Sequence, residues 1–216
     1  MRIGIFDSGI GGEAVAETLR HLLPNAEIIS VNDHTHMPYG DRSPTEIIQL
    51  TKNAIQPLLE IKCDAIIIAC NTATTVAISA LRSSYPNVNF IGIEPMVKPA
   101  AKMTKTKHIA VCATAGTLKS ERYKQLKQEF AKNIEVIEPD CSNWAKLVEN
   151  NKSDEIDIAS FVESISNHNA DVIVLGCTHY HWIKQRIINA VGSNVVVLEP
   201  SDAIAERVKS LLTKVC

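Results

Sequence analysis

This chain reads as an α/β protein of two similar domains, each a parallel-type sheet flanked by helices. Three observations point there. Short apolar runs rich in β-branched residues alternate with helical patterns along all 216 residues. Two of those runs are near-copies, Asp64-Ala-Ile-Ile-Ile-Ala-Cys70-Asn71-Thr72 and Asp171-Val-Ile-Val-Leu-Gly-Cys177-Thr178-His179, placed 107 positions apart. Further matches recur at nearly that spacing: Ile3–Gly11 with Ile109–Thr117 at an offset of 106, and Ile93-Glu94-Pro95 with Leu198-Glu199-Pro200 at 105. One recurring spacing marks two homologous halves. They are expected to be related by a pseudo-twofold, with an active site in the cleft between them. The first domain is expected to take residues 1–97 plus about 205–216, and the second 98–204.

In the first half, the pattern predicts strands at 2–6, 27–32, 64–69 and 89–93, with helices at 13–22, 44–60 and 72–84. The helix after Ser43 has the clearest start: Ser43 caps, Pro44 fits the first helical position and Glu46 completes a capping box. Ile47, Ile48, Ala54, Ile55, Leu58 and Leu59 then share one face, with a kink expected at Pro57. The basic stretch 102–107 separates the halves. The second half reads as strands at 108–112, 133–138, 171–175 and 194–198, with helices at 117–131, 142–149, 154–168 and 182–190. A last helix, 201–214, has Ser201 or Asp202 as its expected cap.

Composition narrows the function classes. A formal net charge of −2 leaves no electrostatic footprint for nucleic acid. No apolar run approaches the roughly 20 residues of a membrane helix. The chain enters its first strand without a cleavage-signal pattern, so a cytoplasmic location is expected. Six cysteines, Cys63, Cys70, Cys112, Cys141, Cys177 and Cys216, are scattered without a CxxC pair, which speaks against a disulfide framework or structural zinc.

Cys63 and Cys112 read as core filler, Cys141 as a loop residue and Cys216 as a frayed chain end. Cys70 and Cys177 differ, because each leaves a buried strand into small polar residues at the carboxyl end of a sheet, where open α/β sheets bind ligands. Each also precedes an expected helix N-terminus, whose partial positive charge favours a thiolate. Two thiols at equivalent points of two halves suit a reaction that takes a proton from one face of a carbon and returns it to the other. His179 stands where it can shuttle the proton of Cys177, and Asp7 and Ser8 leave the first strand toward the same kind of strand end.

Two other readings compete. Gly9-Ile-Gly11-Gly-Glu-Ala14 followed by Asp33 fits the parts of a dinucleotide fingerprint, but Asp7 just before the loop opposes a pyrophosphate, and the cysteines stay unexplained. His34-Thr-His36 and Cys177-Thr-His179-Tyr-His181 alternate soft ligands, yet they follow strands rather than lie in them, so solvated loop histidines are the simpler reading of His34 and His36. Neither a metal nor another cofactor is expected.

Asp7-Ser8-Gly-Ile-Gly-Gly12, Pro38-Tyr39-Gly40, Cys70-Asn71-Thr72-Ala73 and Gly176-Cys177-Thr178-His179-Tyr180 together resemble the ordered motif set of glutamate racemases, within the aspartate/glutamate racemase superfamily. The resemblance spans residues 3 to about 205. The His-Tyr after Thr178 is similar to the glutamate branch, with aspartate or another amino acid as the alternative substrate and a weakly catalytic binding protein as the alternative class.

The resemblance implies pyridoxal-independent racemisation of glutamate by two thiols, supplying D-glutamate for peptidoglycan. It implies that Asp7 assists Cys70 and His179 assists Cys177. It also implies that Ser8, Tyr39, Gly40, Asn71, Thr72, Thr117 and Thr178 hold the amino acid, and that Glu149 is a further carboxylate near the site. A homodimer is the assembly expected, with no nucleic acid or membrane partner. His181-Trp182 departs from the family's usual proline, and the chain is short for the family.

Overall fold

The computed structural model describes residues 1–212, so Cys216 and the last two residues of the expected terminal helix lie outside the described residues. The chain divides into two compact units, Met1–Glu94 with Pro200–Cys216, and Pro95–Glu199.

The first unit is built on strands β1 (Arg2–Asp7), β2 (Glu27–Asn32), β3 (Ala65–Ile68) and β4 (Phe90–Gly92). All are parallel, in the order β2-β1-β3-β4. Parallel neighbours need crossover connections, supplied here by α1 (Gly11–Leu22), α2 (Pro44–Ala54) with α3 (Gln56–Glu60), and α4 (Asn71–Ser84). Side chains alternate across a strand, so an unbroken apolar run feeds two cores. Ile3, Ile5, Ala65 and Ile67 pack with α1, whereas Phe6, Ile66 and Ile68 pack with α2, α3 and α4.

The expected helix over 44–60 is two helices. Ser43 accepts the Glu46 N–H at 3.3 Å to start α2, and the break falls at Ile55 because Pro57 has no N–H to continue the ladder. A short 3-10 turn, Tyr39–Asp41, lies in a stretch the pattern left unassigned.

The second unit repeats the plan with β5 (His108–Ala113), β6 (Glu135–Ile137), β7 (Val172–Gly176) and β8 (Val196–Leu198), parallel in the order β6-β5-β7-β8. Helix α5 (Val97–Met103) precedes β5 and was not legible in the sequence pattern. The expected helix 117–131 is split into α6 (Ala115–Lys119) and α7 (Glu121–Phe130). Ser120 is extended there and its hydroxyl caps α7 by accepting the Tyr123 N–H at 3.2 Å, so the local cap wins over continuation. Helix α8 covers Trp144–Glu149, and Asp157 caps α9 (Ile158–Asn167) by accepting the Ser160 N–H at 3.0 Å.

The expected helix 182–190 is corrected at its start: residues Thr178–Ile183 form a 3-10 helix, and α10 begins only at Lys184 and runs to Val191. The last helix is α11 (Ser201–Leu212). Its Ile204, Ala205 and Val208 complete the α1 face of the first unit.

The aspartates that open the two copied runs have matching jobs. Asp64 accepts the Arg2 N–H at 2.7 Å, and Asp171 accepts the Lys105 and Thr106 N–H groups at 2.7 and 3.1 Å. Each ties the start of its strand to the segment entering the neighbouring central strand. Although partial burial opposes it, these bonds and that of the Thr104 hydroxyl hold the Asp171 carboxyl below the usual range.

Candidate active site

In the first unit, Cys70 is the N-cap of α4, extended at φ −61° and ψ 116°, so its Sγ turns back over the first turn and accepts the Ala73 N–H at 3.4 Å. The Ser8 hydroxyl, delivered by the end of the adjacent β1, donates to the same sulphur at 3.3 Å. Both donors, one backbone and one side chain, approach the same sulphur.

Asp7, the last residue of β1, is fully buried, and its carboxylate accepts the Gly9 N–H at 2.9 Å. Asn71 opens α4 at 4 % exposure, and neither polar atom of its amide has a hydrogen-bond partner among the described residues. Thr72 beside it is buried too.

Tyr39 is buried under Phe6, and its hydroxyl donates to Asp33 at 2.8 Å, while Gly40 follows in the same 3-10 turn. Burial first, and then the Asp33 carboxylate, push the Tyr39 hydroxyl well above the ordinary tyrosine range, so it stays a donor. Asp33 also holds His36 Nδ1 at 2.8 Å, which accounts for both a residue of the dinucleotide fingerprint and one of the paired histidines; His34 is exposed. Sequence reasoning missed Asp33 as the partner of Tyr39, six positions on.

The glycine loop has a different use from phosphate binding. A Cβ on Gly12 would stand 2.6 Å from the Asp7 Cβ, so the missing side chain lets α1 start against the buried aspartate. Gly12→Ala is expected to displace Asp7 and lower kcat/KM on the order of 10²-fold, the cost of about 1 Å of misplacement. Steady-state kinetics with an unchanged far-ultraviolet spectrum check it, and an undiminished rate would remove Asp7 from the chemistry.

In the second unit, Cys177 leaves β7 extended, at φ −148° and ψ 135°, and its side chain caps nothing. The expectation of an α-helix N-terminus behind this thiol is thus corrected, because six residues of 3-10 helix intervene. Cys177 has a different neighbour: its Sγ lies 3.6 Å from His179 Nδ1, and His179 Nε2 lies 2.5 Å from Glu149 Oε1. Both the His179 and Glu149 side chains are 8 % exposed.

With Nε2–H donating to the Glu149 carboxylate, the neutral imidazole turns the Nδ1 lone pair toward the sulphur, where it can receive the thiol proton. Thr178 and Thr117 are buried, and the Thr117 N–H is accepted by the Thr114 hydroxyl at 3.3 Å. Of the other cysteines, Cys112 and Cys141 are buried and Cys63 is half-buried, so Cys141 is a loop residue packed into the core.

Each unit therefore sets one cysteine at the carboxyl end of an equivalent strand, beside β1 in one and β5 in the other. The partners have diverged. Where the first unit has Asp7 and Ser8, the repeat puts Ala113 and Thr114, and the second unit draws on His179 and Glu149 instead.

The family model for Asp/Glu/hydantoin racemases matches residues 12–208. This chain belongs to that family. Among its racemase relatives, the glutamate racemase of Aliarcobacter butzleri is 38% identical over 98% of this chain and 84% of its own length. That of Clostridium perfringens is likewise 38% identical, over 97% and 82%. The racemase architecture is shared with the crystal structure of Escherichia coli glutamate racemase in complex with L-glutamate and the activator UDP-MurNAc-Ala, at a TM-score of 0.87, 27% identity and coverage of 98% and 82%. It is also shared with Francisella tularensis glutamate racemase in complex with D-glutamate, at a TM-score of 0.83, 28% identity and coverage of 99% and 81%.

Proposed function

We propose that this chain interconverts L- and D-glutamate without a cofactor, each unit contributing one thiol as an acid–base group. The observation that carries the reading is the pair of equivalent strand ends, each delivering a cysteine with its own polar partner: Ser8 and the α4 amide at Cys70, His179 and Glu149 at Cys177. Relatives that are glutamate racemases and match over nearly the whole of this chain support the choice of substrate.

In this reading one thiolate removes the α-proton, and the other thiol protonates the planar intermediate on its opposite face. An α-proton is weakly acidic, so the carbanionic state needs donors placed where charge develops. The unpartnered Asn71 amide supplies one, and Thr72, Thr117 and Thr178 supply others toward the two carboxylates. Tyr39 and Gly40 line the amino acid. Asp7 manages protons at Cys70, as His179, oriented by Glu149, does at Cys177.

D-Glutamate made this way serves peptidoglycan in the cytoplasm. No described helix is long and apolar enough to cross a membrane. The proposed assembly is a homodimer, which light scattering on the purified protein tests.

The deciding experiment is racemisation followed by circular dichroism over glutamate, aspartate and other amino acids, after dialysis against a chelator and with hydroxylamine present. Glutamate is expected to racemise at full rate. Activity restored only by added zinc or pyridoxal phosphate would sink the two-thiol reading, and a faster rate on aspartate would move the substrate.

A further inference from the structure

We propose that Tyr180 is a positioning residue that keeps His179 and Glu149 in register and thereby sets proton transfer at Cys177, an inference that rests on the two-thiol reading. His179 and Glu149 come from different segments, a 3-10 helix and the end of α8, each only six residues long. Segments this short are held by tertiary contacts rather than by their own hydrogen bonds. Their 2.5 Å meeting therefore needs a second tie between them.

Tyr180 provides it. It is fully buried, and its hydroxyl donates to the Cys141 carbonyl at 2.9 Å, just upstream of α8. Its ring meets Trp144, the first residue of α8, edge-on at 5.3 Å, and Trp144 meets Phe161 of α9 edge-on at 5.1 Å. Helix α8 is thus fixed at its start by Tyr180 and at its end by His179, two consecutive residues. Burial first, and then the nearby Cys177, Cys141 and Cys112 sulphurs, push the phenol well above its ordinary range, so the hydroxyl remains a donor at any working pH.

Tyr180→Phe keeps the ring and removes the donor. The reporter is N-hydroxyglutamate, which loses its α-proton to one base and hydroxide from nitrogen. The imine left behind hydrolyses to 2-oxoglutarate and ammonia, so one deprotonation is read without the second base. The resemblance to glutamate racemases implies that Cys177 faces the L-enantiomer and Cys70 the D-enantiomer.

Elimination from the L-enantiomer is expected to fall about tenfold or more in Tyr180→Phe while the D-enantiomer changes by less than about twofold, because the misplacement is confined to one base. Trp144→Phe, which alters the same register with the hydroxyl intact, is expected to give the same asymmetry and serves if Tyr180→Phe does not fold. Equal losses on both enantiomers, or none on L, overturn the proposal. Cys177→Ser is run beside them: if it still eliminates from L at the unaltered rate, the two-thiol reading itself is wrong, whatever Tyr180 does.

Discussion

Cys177→Ser and Cys70→Ser are each expected to stop racemisation, lowering the rate by about 10³-fold or more, the scale on which general acid–base groups contribute. Their losses on single-deprotonation chemistry are expected to be opposite. Cys70→Ser still eliminates from L-N-hydroxyglutamate, Cys177→Ser still eliminates from the D-enantiomer, and the double variant does neither. The expectation follows from two sulphurs with separate partners: removing Cys177 leaves the Ser8 and Ala73 donors on Cys70 untouched. Two merely structural thiols would give small effects blind to the enantiomer. Such effects in folded protein would end the racemase reading.

The second large effect belongs to the groups proposed to manage those protons. His179→Asn and Asp7→Asn are each expected to lower turnover on the order of 10²-fold. Enantiomers are equal in free energy, so kcat/KM falls together in both directions and cannot report which base is impaired. The primary isotope effect can. With glutamate deuterated at the α-carbon, His179→Asn is expected to raise the effect on the L-enantiomer and Asp7→Asn on the D-enantiomer. Unchanged isotope effects in both variants would refute the pairing of helper with thiol. Glu149→Gln should follow His179→Asn in kind, since its carboxylate lies 2.5 Å from His179 Nε2 and fixes which ring nitrogen faces the sulphur.

The sheet architecture was legible because buried parallel strands are written as continuous apolar runs, and Ile66-Ile67-Ile68 or Val172-Ile173-Val174 feed both faces of a sheet. The duplication was legible for a similar reason, since Asp64 and Asp171 do the same anchoring in each half. Helix ends were less so. Ser120 and Asp157 are ordinary polar residues in the sequence, and only the folded chain shows that each caps a helix and interrupts the one expected across it. The surroundings of Cys177 were the least legible. Whether residues after a strand wind as α or 3-10 depends on packing around Tyr180 and Ile183, which no local pattern carries. The contacts of Glu149 with His179 and of Asp33 with Tyr39 are likewise products of the fold.

Helix α11 gives the first unit a discontinuous core, because Ile204, Ala205 and Val208 close a face otherwise made by Ile3, Ile5, Val15 and Leu19. On the ribosome those early residues are made first and covered last. Synthesis of the stretch Pro95–Glu199 takes on the order of 10 s at ~5–20 residues per second, and for that interval the α1 face is open. The second unit, continuous in sequence, has all its parts before the first is whole. Nascent chains should therefore gain protease resistance in the later half first, reversing the usual order of assembly, and the open face is where a chaperone would bind.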